Sequence, residues 1–180
     1  GYVPRDELLM LIKAFIEHQP QQEEDGWNYY PKKGFSEDMI REDPWAYVGM
    51  ILTNIVRYES GRKLFLRQSL GLVPQLAKQL QSRNPVRRRG TVGTIRTLLF
   101  DVEQHWWMLH EMKILTNILM PCVVATPFLE NERAGMDAIL WIAANDPNKK
   151  HEPEADILIM LMECVVLLCQ KRATREDLRK

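Results

Sequence analysis

Apolar residues recur along this chain with the period of helices. Leu8, Leu9, Ile12, Phe15 and Ile16 form one face, and Trp45, Val48, Ile51, Leu52 and Ile55 form another. Further stripes run through Leu72, Val73, Leu76 and Leu80; through Val92, Ile95, Leu98, Leu99 and Val102; through Ile114, Leu115, Ile118 and Leu119; and through Leu158, Leu161, Val165 and Leu168. Each is long enough for a helix, and no stretch carries the strict alternation of a strand. The pattern predicts an all-α fold.

Punctuation between the stripes repeats. Asp43-Pro44, Asn84-Pro85 and Glu152-Pro153 each place a residue able to cap a helix before a proline suited to its first turn, Glu152 being the weakest cap of the three. Pro44 and Pro85 lie 41 residues apart, and the run from Gly71 to Leu76 returns, less closely, 41 residues later from Met112 to Asn117. Val48-Gly49 matches Val92-Gly93 at a spacing of 44. A period of ~40–47 residues carrying three helices marks armadillo or HEAT repeats, whose apolar faces are buried only against neighbouring repeats. The expected fold is therefore a right-handed α-solenoid of armadillo-like (ARM/HEAT) repeats, about three of them plus partial ends.

The expected division is a partial repeat over 1–19, an insertion over 20–42, repeats over 43–125, a second insertion over 126–152 and a repeat over 153–180. Third helices are predicted at 44–58, 85–102 and 153–170, second helices at 5–18, 71–81 and 112–125, and first helices at 60–69 and 105–111. Both ends fall mid-repeat in this parsing, and Gly1-Tyr2-Val3-Pro4 has neither an initiator Met nor a signal-peptide pattern, so the chain reads as an excerpt of a longer solenoid.

Composition narrows the function classes. In 180 residues, 46% hydrophobic and 27% charged, 24 Lys and Arg balance 24 Asp and Glu, so no net field draws the molecule to nucleic acid or an anionic membrane. The longest apolar stretches, around 114–124 and 157–169, are interrupted by Asn117 and Glu163 and fall short of the ~20 residues of a membrane span. Cys122, Cys164 and Cys169 lack metal-ligand spacing and read as reduced core residues of a cytosolic or nuclear protein.

Catalytic chemistry is not evident. His105 and His110 form no HExxH motif, His18 and His151 stand alone, and Glu23, Glu24 and Asp25 form a solvated acidic run. Gly90 and Gly93 lie inside a helical stripe without a following phosphate-loop lysine and are expected to permit close helix packing. The expectation is a protein that is not an enzyme, with no cofactor and no metal.

Several runs resemble the Hgh family of eukaryotic armadillo-repeat proteins. These are Asp43-Pro44-Trp45-Ala46-Tyr47-Val48-Gly49-Met50-Ile51-Leu52-Thr53-Asn54-Ile55, Arg88-Arg89-Gly90-Thr91-Val92-Gly93-Thr94-Ile95-Arg96, His105-Trp106-Trp107-Met108-Leu109, and Glu152-Pro153-Glu154-Ala155-Asp156-Ile157 leading into 161–168. The resemblance implies a cytoplasmic folding chaperone or client adaptor for translation elongation factor 2, linking that client to Hsp70- and Hsp90-class chaperones and to the chaperonin. Separately, the balanced charge, the short apolar stretches and the lack of an aromatic platform beside the arginines lead to an expectation of no nucleic-acid partner and no membrane partner. The alternatives are a generic armadillo scaffold for another protein cargo, or a regulatory solenoid segment of a larger enzyme.

Partner-binding candidates each carry a second reading. Asn54 sits where armadillo proteins place an asparagine that bonds a bound peptide's backbone, although its approximate counterparts, Thr97 and Glu163, depart from that pattern; it also reads as a polar residue on a helix face. Arg87, Arg88, Arg89 and Arg96, with Arg83 nearby, form a dense basic cluster at a helix start, where it opposes the helix dipole. The cluster reads either as guanidinium forks for acidic client side chains or phosphates, or as a solvated face paired with Asp101, Glu103 and Glu111. Trp106 and Trp107 are adjacent on one helix, so one is expected to be the more exposed, serving as a contact residue or as packing between repeats. Trp27, Tyr29, Tyr30 and Phe35 in the first insertion either pin it down or meet a partner.

Overall fold

Asn84-Pro85 shows how the sequence starts a helix. The Asn84 side-chain oxygen accepts the Val86 N–H at 2.9 Å while Pro85 occupies the first turn, where its missing N–H costs nothing. The computed structural model describes residues 5–18 and 43–179. Among them are ten α-helices and no strand. They are α1 (Arg5–Glu17), α2 (Val48–Ile55), α3 (Glu59–Phe65), α4 (Leu72–Lys78), α5 (Pro85–Leu98), α6 (His105–His110), α7 (Ile114–Leu119), α8 (Ala138–Ala144), α9 (Ala155–Leu168) and α10 (Arg172–Asp177). The first insertion, with Trp27, Tyr29, Tyr30 and Phe35 and the acidic run 23–25, lies outside the described residues.

The long helices stand in a row. α2 packs on α5, α5 on α9, and α1 on α2, while α4 and α7 form a second row behind, in contact with α5 and α9. Gly49 meets Gly90 and Thr53 meets Thr94, the latter pair 41 residues apart, so α2 and α5 run in the same direction with one register. Arg89 pairs with Asp156 and Arg96 with Glu163, again at a single separation of 67, so α9 continues the parallel row. The arrangement is compatible with stacked repeats.

The α2–α5 seam is set by glycine. A Cβ on Gly90 would lie 2.4 Å from the Gly49 carbonyl carbon and 2.7 Å from its Cα, so only a bare backbone fits. Thr53 Oγ1 donates to the Gly90 carbonyl at 3.0 Å, and Thr94 Oγ1 lies 3.3 Å from the Gly49 carbonyl. The register is therefore 41, and the match of Gly49 with Gly93 at 44 is corrected: Gly93 faces the Thr53 side chain instead. With two glycines and several β-branched residues, α5 has weak intrinsic propensity and depends on these contacts.

One apolar core runs through the rows, including Ile12, Phe15, Leu52, Phe65, Leu76, Ile95, Leu98, Met108, Ile118, Leu161 and Leu168. A smaller cluster of Met120, Val123, Leu140, Ala143 and Ala144 seats α8 from the second insertion, which is thus partly helical. Each fully buried Leu, Ile, Val, Phe or Met side chain contributes about 1.5–3 kcal/mol, so the shared core binds the rows together. Helix starts deviate from expectation at two of the three X-Pro sites. Residues 44–47 are turns before α2, and α9 is preceded by Glu154 rather than by Glu152. At the matching starts of α4 and α7 the chain enters in the left-handed region, at Gly71 (φ 56°) and at Lys113 (φ 47°).

Candidate functional site

Three consecutive arginines on α5 point at three different neighbours, because successive helical residues are rotated by about 100°. Arg87 is fully buried: its Nε donates to Asp43 Oδ2 at 2.7 Å, its terminal nitrogens reach Asp43 Oδ1, Gln79 Oε1 and the Phe15 carbonyl, and its guanidinium lies 4.4 Å from the Phe15 ring centre. Arg88, buried as deeply, grips Glu152 through Nε at 2.6 Å and a terminal nitrogen at 2.8 Å, and donates to the Ser82 and Arg83 carbonyls at 2.9 Å. Glu152 accepts the Glu154 N–H as well, at 3.0 Å. The two acids before Pro44 and Pro153 thus receive arginines from α5, and Arg87 and Arg88 are corrected from surface forks to interior ties. Their partners are Asp43 and Glu152, not Asp101, Glu103 or Glu111.

Arg89 is the next residue and Arg96 lies about two turns further on, both toward the open face. Arg89 reaches Asp156 and Glu154, and Arg96 Nε sits 2.7 Å from Glu163, all of these groups being partly exposed. The Asp156 hydrogen bond raises the Arg89 pKa and, from the other side, holds the Asp156 carboxyl below the ordinary carboxylate range. The opposition between the helix dipole and the basic cluster is resolved by these ion pairs, each to an acid outside α5.

The open face of the row carries the accessible chemistry. Tyr47, Met50 and Ile51 are exposed on or beside α2, and Ile159, Met162 and Val166 on α9, with Phe100 at the end of α5. A cavity of about 710 Å³ between α2 and α5 is lined by Asn54, Arg57, Arg96 and Thr97 among others. A second, of about 490 Å³ between α5 and α9, shares Arg96 and Phe100 with the first and is otherwise mainly apolar. Asn54 is exposed on this face. Trp106 is 57% exposed, its ring tilted against that of His110 at 5.1 Å, whereas Trp107 is 6% exposed and packs in the core, which corrects Trp107 from a contact residue to packing.

The other reactive groups have structural partners. His105 is buried, with Nε2 donating to the Leu99 carbonyl at 2.7 Å, and His110 meets Asp177 at 3.0 Å. The cysteines are free thiols; burial pushes Cys164 up to about 12 and Cys122 up to about 11, far from a reactive thiolate. Burial also lowers the pKa of Lys149, whose ammonium donates to the Lys150 carbonyl at 2.9 Å. Among the described residues no three His, Cys, Asp or Glu side chains gather where a metal ion could bind, and no helix is long and apolar enough to cross a membrane.

A family profile described as "Domain of unknown function (DUF383)" matches residues 7–159. Similar curated proteins include the Protein HGH1 homolog of Xenopus tropicalis, 36% identical over 68% of this chain and 34% of that protein. Those of Rattus norvegicus and Drosophila melanogaster are 32% identical over 76% of this chain and 29% identical over 74%, covering 35% and 36% of those proteins. The chain belongs to the Hgh family. It spans about a third of the length of the curated relatives it matches. Within this Hgh segment, sequence reasoning missed Asp43 and Glu152 as buried partners. The available signal was that two of the three X-Pro sites carry an acid while the third is followed by Arg87-Arg88.

Proposed function

We propose that this segment is part of a protein-binding, armadillo-type right-handed solenoid whose open face holds translation elongation factor 2 during folding. In this reading the full-length protein is a cytoplasmic adaptor that passes its client to and from Hsp70- and Hsp90-class chaperones and the chaperonin, and performs no catalysis of its own. Membership of the Hgh family and the parallel row of α2, α5 and α9 support it. The observation that carries it is the accessible surface along α5, where Arg96 and Phe100 line both the cavity beside α2 and the apolar trough beside α9. Exposed apolar surface rimmed by polar groups is the usual mark of a protein-docking site.

The test is quantitative mass spectrometry of proteins recovered with the tagged full-length protein under mild lysis. Elongation factor 2 and general chaperones are expected to be enriched. Ile159→Asp combined with Val166→Asp is expected to reduce recovery of the client without lowering the melting temperature, because both side chains are already exposed, at 60% and 67%. No enrichment of elongation factor 2, or undiminished recovery by the double variant, overturns the reading.

A further inference from the structure

The open face is chemically polarised from α2 to α9, and the polarity restricts what fits it. In the cavity beside α2, the guanidinium groups of Arg57, Arg62 and Arg96 face a single carboxylate, Asp101. Arg62 is committed to the Val56 and Arg57 carbonyls at 3.2 and 2.9 Å, where it closes the end of α2, and Arg96 is committed to Glu163. Arg57 is exposed and its guanidinium meets no ion-pair or hydrogen-bond partner among the described residues. The Asn54 amide, one turn earlier on the same lip, is likewise open. Across Arg96 and Phe100 the surface becomes an apolar trough lined by Ile159, Met162 and Val166, with Glu163 as its one acid.

We infer that this face selects acidic-apolar peptide segments: a carboxylate bonds Arg57 and Asn54 beside α2, and the bulky apolar side chains next to it fill the trough beside α9. The inference rests on the open face being the client surface, and it adds the class of segment and its direction. Glu163 is neutralised by Arg96, so the direction is set by Arg57 and the apolar lining. A carboxylate placed in the trough loses water without gaining a free donor, and a lysine at the α2 end meets Arg57, so the reversed and the basic segments are both disfavoured. A guanidinium offers a paired, planar set of donors to a carboxylate, a geometry that an ammonium on the ligand would oppose rather than match.

Fluorescein-labelled dodecapeptides measured by anisotropy against the full-length protein at physiological salt test this. One carries Asp-Asp followed by Leu, Phe and Met; the second replaces Asp-Asp with Lys-Lys; the third keeps the acids and replaces the apolar residues with Ser. A single-stranded RNA oligonucleotide is the fourth probe. The first is expected to bind about tenfold tighter than the second and the third. Arg57→Glu should erase or reverse the preference of first over second, and Met162→Asp with Ile159→Asp should remove binding of the first; melting curves check that both variants fold. Equal binding of the acidic and basic peptides, no binding of the first peptide, an unaltered Arg57→Glu variant, or tighter binding of RNA than of any peptide overturns the inference. Recovery of elongation factor 2 by Arg57→Glu at the wild-type level would sink this inference and leave the client reading standing. The peptide preference without recovery of elongation factor 2 would do the opposite.

Discussion

The two seams that α5 makes are built differently. Toward α2 it presents Gly90 and Thr94, and the backbones come so close that hydroxyls on each helix bond carbonyls of both. Arg87 then locks the same side to Asp43 out of contact with water. Toward α9 the ties on the open face are the half-exposed pairs of Arg89 and Arg96, and an apolar trough remains open beside them. A sealed seam has one low-energy geometry, since interiors at this density do not deform continuously. Below that face the α9 side has its own buried tie, Arg88 to Glu152, but the open face itself is held by screened charges whose loss costs little. The sealed seam is therefore the fixed spine of the segment, and the open one is where a partner can enter without disturbing the core.

Among perturbations, removal of one partner from an interior tie is expected to have the largest effect. Arg88→Met leaves the buried Glu152 carboxylate with the Glu154 N–H and the charge of Lys149 but without its guanidinium, and should cost about 3 kcal/mol in denaturant unfolding. Adding Glu152→Leu to that variant should restore much of the loss, because the cost lies in the stranded charge rather than in the missing attraction. A single variant as stable as wild type would show that this buried tie is dispensable.

The next effect separates two glycines three residues apart. Gly90→Ala drives a Cβ into the Gly49 backbone and is expected to destabilise by about 3 kcal/mol. Gly93→Ala meets only the Thr53 side chain, at 3.1 Å, and gains helix propensity, so the net change should stay within about 1 kcal/mol. Thermal melts of the two variants side by side check the contrast, and equal shifts would refute the glycine-sealed seam.

Helix pattern, the Asn84 cap and the unequal exposure of Trp106 and Trp107 were legible in the sequence because each follows from local rules of period and capping. Interior charge was not. Asp43 and Glu152 occupy the X-Pro positions at which acids commonly cap helices, and nothing local distinguishes a capping carboxylate from one that accepts an arginine 44 or 64 residues away. The same holds for Arg87 and Arg88. A run of arginines reads as surface, and only the packing of α5 between two neighbours turns the first two inward. Register was half legible: prolines gave the spacing of 41, but the recurring Val-Gly pair pulled the alignment of α2 to 44 until the contact of Gly49 with Gly90 fixed it.

Lys113 tests the second row of helices rather than the first. It holds the left-handed conformation that Gly71 holds at the start of α4, and a side chain there costs about 1–2 kcal/mol. Lys113→Gly relieves that strain and loses part of the gain to chain entropy, so a net stabilisation of up to about 1 kcal/mol is expected in unfolding experiments. A destabilised variant would mean that the Lys113 side chain makes a contribution larger than its strain.

The smallest effect belongs to the open seam and has a pH signature. Because Arg89 depresses the Asp156 pKa, this carboxylate contributes stability that is fully present above its unfolded value of about 4 and is lost as pH falls through the lower folded value. Asp156 is 53% exposed, so screening should keep the cost of Asp156→Asn under about 0.5 kcal/mol at pH 7. The difference between variant and wild type should shrink as pH drops below about 4, and also in about 1 M salt, where the screening length is near 3 Å. A large, salt-independent loss for Asp156→Asn would place this seam with the sealed one and remove the physical ground for locating an entering partner there.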